Sequence, residues 1–290
     1  MPTLKEIKGR IASVRNTLKI TSAMKLVSSA KLRKAQKAIE NMRPYEEQLQ
    51  AILASLGGAA GTKSADFVRE GEESGLTGTK PRVFVAIASN SSLCGGFNAA
   101  AVAKVREVRR EDDVVYSVGR KMADAMRRDG FPSPEDLNDL VEHPAFASAA
   151  DLVESLSQQW EEGKVAQVLL VYNHFVSTAR QVPVVEVLLP LEGESSPSAA
   201  PDRASAPDLI VEPSRKEMLK LLLPKTRKLK LYAALLDSVA AEHAARTVAM
   251  QTATDNGENL LQELTLQYNK GRQQKITSEI LDLAGGQAEN

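Results

Sequence analysis

Apolar residues near both ends of the chain recur at alternating steps of three and four. Toward the C-terminus the series runs Leu229, Tyr232, Leu236 and Val239, then Met250 and Ala253, and later Leu260 and Leu264. His243, Arg246 and Gly257 occupy positions of the same series. That spacing is the seam of a coiled coil, here with polar and glycine steps among the apolar ones. No proline falls between Leu229 and Leu283. At ~1.5 Å per residue an unbroken helix of that length reaches ~80 Å, beyond the width of a small domain. Such a helix must pair with another long helix, be enclosed by other subunits, or both.

The first 56 residues predict that second helix. Thr3 and Glu6 have the form of a capping box. Leu4, Ile7, Ile11, Val14 and Leu18 continue at steps of three and four. The apolar register then slips to Ile20, Met24 and Val27 and resumes at Leu32, Ala35, Ile39 and Met42. A slip of this kind is a stutter and is expected to change the supercoil locally. Pro44 predicts a kink or break in this helix, and Pro224 a break ahead of the C-terminal seam.

Between the two ends the period changes. Over 82–191, strand-like and helix-like runs alternate. The strands are V-F-V-A-I-A-S from Val83, D-V-V-Y-S-V-G from Asp113, V-A-Q-V-L-L-V-Y-N-H-F-V from Val165 and V-P-V-V-E-V-L-L-P-L from Val182. The helices are Ala99 to Arg110, Arg120 to Asp129 and Phe146 to Glu161. This pattern predicts a Rossmann-like open α/β sheet, parallel at first and closed by an antiparallel hairpin at one edge. Linkers rich in small and polar residues flank it, at 57–81 and 192–213. The expected fold class is therefore α/β, a long antiparallel coiled coil with one shaft helix in 1–56 and the other in 214–290, and the open α/β domain carried to the side.

Composition narrows the function. The chain is 43% apolar and 26% charged with a formal net charge of zero, but residues 1–43 hold eleven Lys or Arg against two Glu. That excess is either a solvated helix face or a surface for an acidic partner, nucleic acid or protein. A single cysteine, Cys94, excludes an intrachain disulfide and a cysteine-cluster metal site, and His143, His174 and His243 are not at metal-binding spacing. The opening M-P-T-L-K-E-I-K is not a signal peptide, and no apolar run reaches the ~18 residues needed to span a bilayer. The expected setting is intracellular, with any membrane association made through partners.

Two stretches imitate phosphate sites. G-G-A-A-G-T-K-S from Gly57 falls short of the phosphate-loop pattern because Thr62 stands where the second glycine is required. S-N-S-S-L-C-G-G-F-N from Ser89 places a glycine pair between a strand and a helix, a setting that can hold a phosphate. There is no G-x-G-x-x-G and no acidic residue at the end of the second strand, so a plain tight turn with Cys94 packed inside is expected. No nucleophile–base pair or carboxylate pair is recognisable, which argues against catalysis and for no cofactor and no metal. The basic stretch 1–43 lacks aromatic residues to stack on bases, and a nucleic-acid-binding or scaffold coiled coil is kept as the alternative.

The run A-A-R-T-V-A-M-Q-T-A-T-D-N from Ala244, followed by L-T-L-Q-Y-N-K-G-R-Q-Q-K-I-T-S-E-I from Leu264, resembles the C-terminal signature of the gamma-subunit family of F-type ATP synthases. K-I-T-S-A-M-K-L-V-S-S-A-K-L-R-K-A-Q from Lys19 resembles the family's N-terminal shaft helix, and L-C-G-G-F-N its L-C-G-G-L-N turn. Departures occur at Thr247, where the family usually has Met, at Gly271, usually Ala, and at Asn90 and Ser91, usually a charge pair. The resemblance implies a non-catalytic rotor shaft that couples proton-driven rotation (sodium in some members) to conformational change at catalytic beta subunits. Its implied partners are the ring of alpha and beta subunits, the epsilon and delta subunits, and the membrane ring of c subunits, with no nucleic acid. The implied location is the cytoplasmic face of a bacterial inner membrane, peripheral and held by the complex. Residue by residue, the resemblance implies that Met24 and Lys25 face Arg246 across the shaft. It also implies that Arg272 and Gln273, with Thr277 and Glu279 beside them, grip a loop of the alpha–beta ring.

Overall fold

Thr3 and Glu6 cap one another at the start of the first helix: the Thr3 amide donates to Glu6 Oε2 at 2.8 Å, and the Glu6 amide donates to Thr3 Oγ1 at 3.3 Å. Two of the amides that a helix start leaves without partners are thereby satisfied. The computed structural model describes residues 3–56, 80–191, 211–212 and 214–286. In chain order the elements are α1 (Leu4–Ser55), β1 (Val83–Ile87), α2 (Phe97–Val108), β2 (Val114–Val118), α3 (Arg120–Arg128), α4 (Asp139–Glu142), α5 (Phe146–Glu161), β3 (Val168–Ser177), β4 (Arg180–Leu189) and α6 (Arg215–Gly286). The glycine-rich stretch from Gly57 and nearly all of the 192–213 linker lie outside the described residues. By its contacts the chain divides into two units, Met1–Ser28 with Arg246–Asn290, and Ser29–Ala245.

The first unit is an antiparallel pair made by the start of α1 and the end of α6. Leu4 packs beside Gly271, Leu18 beside Gly257, Thr21 bonds Thr254 and Lys25 bonds Gln251. Each step up one helix is matched by a step down the other, which fixes direction and register together. Along α6 Met250, Thr254, Gly257, Leu261, Leu264, Tyr268 and Gly271 are buried or half-buried at a strict alternation of four and three, with Ala253 and Thr265 half-buried beside that line. This corrects two seam assignments: Thr254 and Leu261 take the places expected for Ala253 and Leu260, and Leu260 is 39% exposed.

The expected stutter in α1 is absent as well. Ile20 and Val27 point outward at 60% and 57% exposure, while Thr21 and Ser28 are buried at 8% and 3%. The three-and-four spacing therefore runs unbroken from Leu4 to Leu18, Thr21 and Ser28. A hydroxyl satisfied by its helix or by the facing one can occupy a seam that side-chain polarity alone would deny it.

The second unit is built on a four-stranded sheet of order β2-β1-β3-β4. β1 pairs parallel with β2 and with β3, and β3 pairs antiparallel with β4. Because successive side chains on a strand point to opposite faces, β1 feeds two cores. Val83, Val85 and Ile87 pack toward Leu152 and Leu156 of α5, Leu231 and Leu235 of α6, and Leu32 of α1. Phe84 and Ala86 pack toward Ala101 and Val105 of α2 and Met122 and Met126 of α3. The starts of β1 and β2 are joined by charge. Asp113 accepts from Arg82 Nη2 at 2.7 Å, from Arg82 Nε at 3.1 Å and from the Arg110 amide at 2.6 Å.

Neither proline breaks its helix: α1 runs through Pro44 and α6 through Pro224. Both rings lie on exposed positions, where a carbonyl that loses its partner can turn to water. An interior proline costs ~3 kcal/mol. Leu49, Leu53 and Leu229, packed with Leu219, Leu222 and Leu223, offset that on the opposite faces at ~1.5–3 kcal/mol for each fully buried leucine.

The same unit carries a cluster of ionisable groups from four elements. Tyr172 of β3 donates to Glu186 Oε1 of β4 at 2.8 Å, and Lys230 of α6 lies 3.7 Å from Glu186 Oε2. His174 Nδ1 meets Asp237 Oδ2 at 2.5 Å, and the Phe175 amide donates to Asp237 Oδ1 at 3.1 Å. Burial raises the pKa of Asp237, with the His174 contacts pulling the other way. Burial, reinforced by the charge of Glu186, raises the pKa of Glu46 of α1. A carboxyl whose folded pKa is raised holds its proton more tightly when folded, so stability falls as pH rises from the ordinary carboxylate value of about 4 through the raised one. Glu46→Gln is accordingly expected to flatten the pH dependence above about pH 4 and to leave the protein at least as stable at neutral pH. Urea midpoints of the two proteins at acidic and neutral pH check this; a variant less stable at neutral pH, or one with an unchanged slope, would contradict it.

Candidate functional site

The mouth of the parallel sheet, where open α/β domains take ligands, is filled by the protein's own groups. Asn90 Oδ1 accepts from the Arg120 amide at the start of α3 at 2.9 Å, and Asn90 Nδ2 donates to the Asn138 carbonyl at 2.9 Å. Ser89 donates its amide to Asn98 Oδ1 at 3.0 Å and its hydroxyl to the Ser91 carbonyl at 2.6 Å. Cys94 is buried, its Sγ accepting from Asn98 Nδ2 at 3.1 Å. Gly119 joins β2 to α3 at φ 101°, where a Cβ would stand 2.1 Å from the Ala88 carbonyl oxygen. The turn is thus a strand-to-helix junction locked by side chains, with Asn90 spending both ends of its amide on that junction.

The coil offers a different kind of site. On α1, Ile20, Leu26 and Val27 stand exposed, and on α6 so do Val248, Leu266, Ile276, Ile280 and Leu281. Ile20 and Val27 are a heptad apart, so they share one outward stripe, adjacent to the seam but not part of it. On α6, Gln273, Ile276, Thr277 and Ile280 recur at steps of three and four along an exposed face, with Arg272 and Glu279 flanking it. Thr277 Oγ1 donates to the Gln273 carbonyl at 2.9 Å, and Lys275 Nζ lies 3.6 Å from Glu279 Oε1. Large apolar side chains left uncovered on a well-packed helix pair mark a surface for another protein.

Met24 and Lys25 are half-buried on α1, and Arg246 is buried on α6. Lys25 donates to Gln251 Oε1 at 2.8 Å. The facing partner of Lys25 is thus Gln251 rather than Arg246, which lies more than one turn along the same helix. Arg272, Gln273, Thr277 and Glu279 fall within two turns of one another, all exposed. Sequence reasoning missed the outward stripe, having assigned Ile20 and Val27 to the seam. The signal that could have found it was the unbroken heptad through Thr21 and Ser28.

Among the described residues no group of three or more His, Cys, Asp or Glu side chains could hold a metal ion. Comparison with known proteins finds relatives along nearly all of the chain. A family model described as ATP synthase matches residues 3–288. The ATP synthase gamma chain of Phocaeicola vulgatus is 46% identical over 293 residues, covering 99% of each chain. That of Bacteroides thetaiotaomicron is 41% identical, again with 99% of each chain covered. In fold, the chain matches one from the Euglena gracilis mitochondrial ATP synthase with a TM-score of 0.73 at 20% identity, over 98% of this chain and 93% of the other.

Proposed function

We infer a mechanical role from the premise that this chain belongs to the gamma family of ATP synthases. It is the non-catalytic rotor shaft of an F-type ATP synthase, coupling ion-driven rotation to conformational change at the catalytic beta subunits. The observation that carries this reading in residues is the antiparallel helix pair, its seam filled while Ile20, Leu26 and Val27 stand bare on its outer side. Two helices make an asymmetric shaft, so each surrounding subunit meets a different face and is biased toward a different conformation. Driving a two-state subunit almost completely from one state to the other takes ~5.5 kcal/mol of differential contact. Burying two or three large apolar side chains in one state and not the other, at ~1.5–3 kcal/mol each, is of that size.

The partners are the alpha–beta ring around the coil, the epsilon and delta subunits, and the c ring in the membrane. Met24, Lys25, Arg246, Arg272, Gln273, Thr277 and Glu279 are proposed as contacts with the alpha–beta ring. The chain is a subunit of a membrane complex, although no helix among the described residues is long and apolar enough to cross a membrane. Bacterial relatives support a place on the cytoplasmic face of the inner membrane, with the c ring as the tether. The test is purification of the tagged chain from its own cells under mild detergent. It is expected to bring down alpha- and beta-like subunits in excess over itself, a single copy per ring. Recovery free of them, or in equal amounts with them, would overturn the reading.

A further inference from the structure

We infer that the buried hydroxyl pair Thr21–Thr254, with Leu18 seated over Gly257, fixes the register of the coil and makes these residues positioning residues for torque transmission. The register argument stands on geometry; its consequence for torque rests on the rotor-shaft reading.

Thr21 and Thr254 are each 8% exposed, and their Oγ1 atoms lie 2.9 Å apart across the seam. Thr254 Oγ1 also lies 2.8 Å from the Met250 carbonyl, and Thr21 Oγ1 3.2 Å from that of Leu18. Each hydroxyl has one proton to give. The shorter contact assigns the Thr254 proton to Met250, leaving Thr21 to donate across the helices to Thr254. The cross-helix bond thus ends on an oxygen already polarised by its own donation, an arrangement that strengthens both bonds. Beside it, Gly257 makes room for Leu18: a Cβ at that position would stand 2.7 Å from Leu18 Cδ2. Lys25 with Gln251 and Leu4 with Gly271 hold the same register on either side.

Apolar seams tolerate slippage by whole heptads, because every heptad presents the same kind of surface. This seam does not. Moving α6 by one heptad in one direction sets Thr21 against Leu261 and Leu18 against Leu264. Moving it the other way sets Thr254 against Val14 and Leu18 against Met250. Either slip takes a buried hydroxyl from its cross-helix partner and drives a leucine out of its glycine notch into a large side chain. Torque applied along a two-helix shaft shears one helix against the other, and the hydroxyl pair with its adjacent notch opposes that shear.

The test uses the assembled complex during ATP turnover, with cysteine pairs as register probes. Lys25→Cys with Gln251→Cys reports the native register, and Lys25→Cys with Glu258→Cys reports a slip of one heptad. On the native seam only the first pair is expected to link under oxidation. In Thr21→Val/Thr254→Val, which keeps shape and adds apolar surface, the slipped pair is expected to link about tenfold more, the order of a lost buried hydrogen bond. Thr21→Ser/Thr254→Ser, which keeps the hydroxyls, is expected to behave like the native seam. Should the double valine variant fail to assemble, Thr254→Val alone removes the cross-helix acceptor and is read in the same way. No gain of slipped linkage in the valine variants, or equal gain in the serine variant, overturns the proposal.

Discussion

Asp113→Ala is expected to destabilise the α/β unit by about 3–5 kcal/mol, the range for removing one partner of a buried ion pair. The Asp113 side chain is 2% exposed and that of Arg82 11%. Without the carboxylate, the guanidinium keeps the Val108 carbonyl at 2.9 Å and the Phe84 ring at 5.2 Å, neither of which neutralises it. The Arg110 amide loses its acceptor as well. Total stabilities of ~5–15 kcal/mol leave little room for such a loss. Urea unfolding of the variant should show a midpoint far below that of the native chain. Replacing both partners, Arg82→Met with Asp113→Leu, should recover most of the difference, because an apolar pair leaves no buried charge uncompensated. A loss under about 1 kcal/mol in the alanine variant would mean that water reaches the pair.

Much of this architecture was legible because two periods dominate the sequence. Runs such as V-F-V-A-I could be read as buried strands since both faces of β1 meet a helical layer. The helix pair was legible from its three-and-four spacing. What failed was the inference from polarity to position. Ile20 and Val27 are apolar and face outward, while Thr21 and Ser28 are polar and face inward. An apolar side chain on an outer face looks the same in sequence as one buried within its own chain, so pattern alone cannot separate them. The prolines misled for a related reason: Pro44 and Pro224 lie on exposed sides of helices held from behind by leucines. The contacts proposed near the C-terminus were not legible from spacing at all. An exposed Arg272 beside Gln273 is an ordinary helix surface unless its resemblance to a family gives it a task.

Arg272→Ala/Gln273→Ala is expected to weaken assembly or coupling while leaving the α/β unit folded. The pair offers a planar five-donor fork next to an amide, suited to a carboxylate and a backbone group side by side. Charge-assisted hydrogen bonds of this type are worth ~1.5–3 kcal/mol each at most, so if the pair makes the proposed contact its loss is expected to lower retention of the shaft by a factor of about ten or more, by the rule that ~1.4 kcal/mol is tenfold. Reconstituted complexes would be read for ATP hydrolysis, ion pumping and retention of the chain, with thermal unfolding of the isolated variant as the control. Normal pumping and retention would reduce both residues to surface polar groups and leave the shaft assignment standing.

The pairing of Leu4 with Gly271 also sets a timetable for synthesis. Residues near the N-terminus leave the ribosome first, yet their partners lie some 267 positions downstream. At ~5–20 residues per second, the leading helix waits on the order of 15–50 s for the strand of chain that will cover it. During that interval a uniformly greasy seam would be an invitation to aggregate. Threonine and serine at positions 21 and 28, and nine excess positive charges over the first 43 residues, keep the unpaired helix hydrated. The polar steps that complicate the seam in the finished coil are what let a nascent chain carry it safely until its partner arrives.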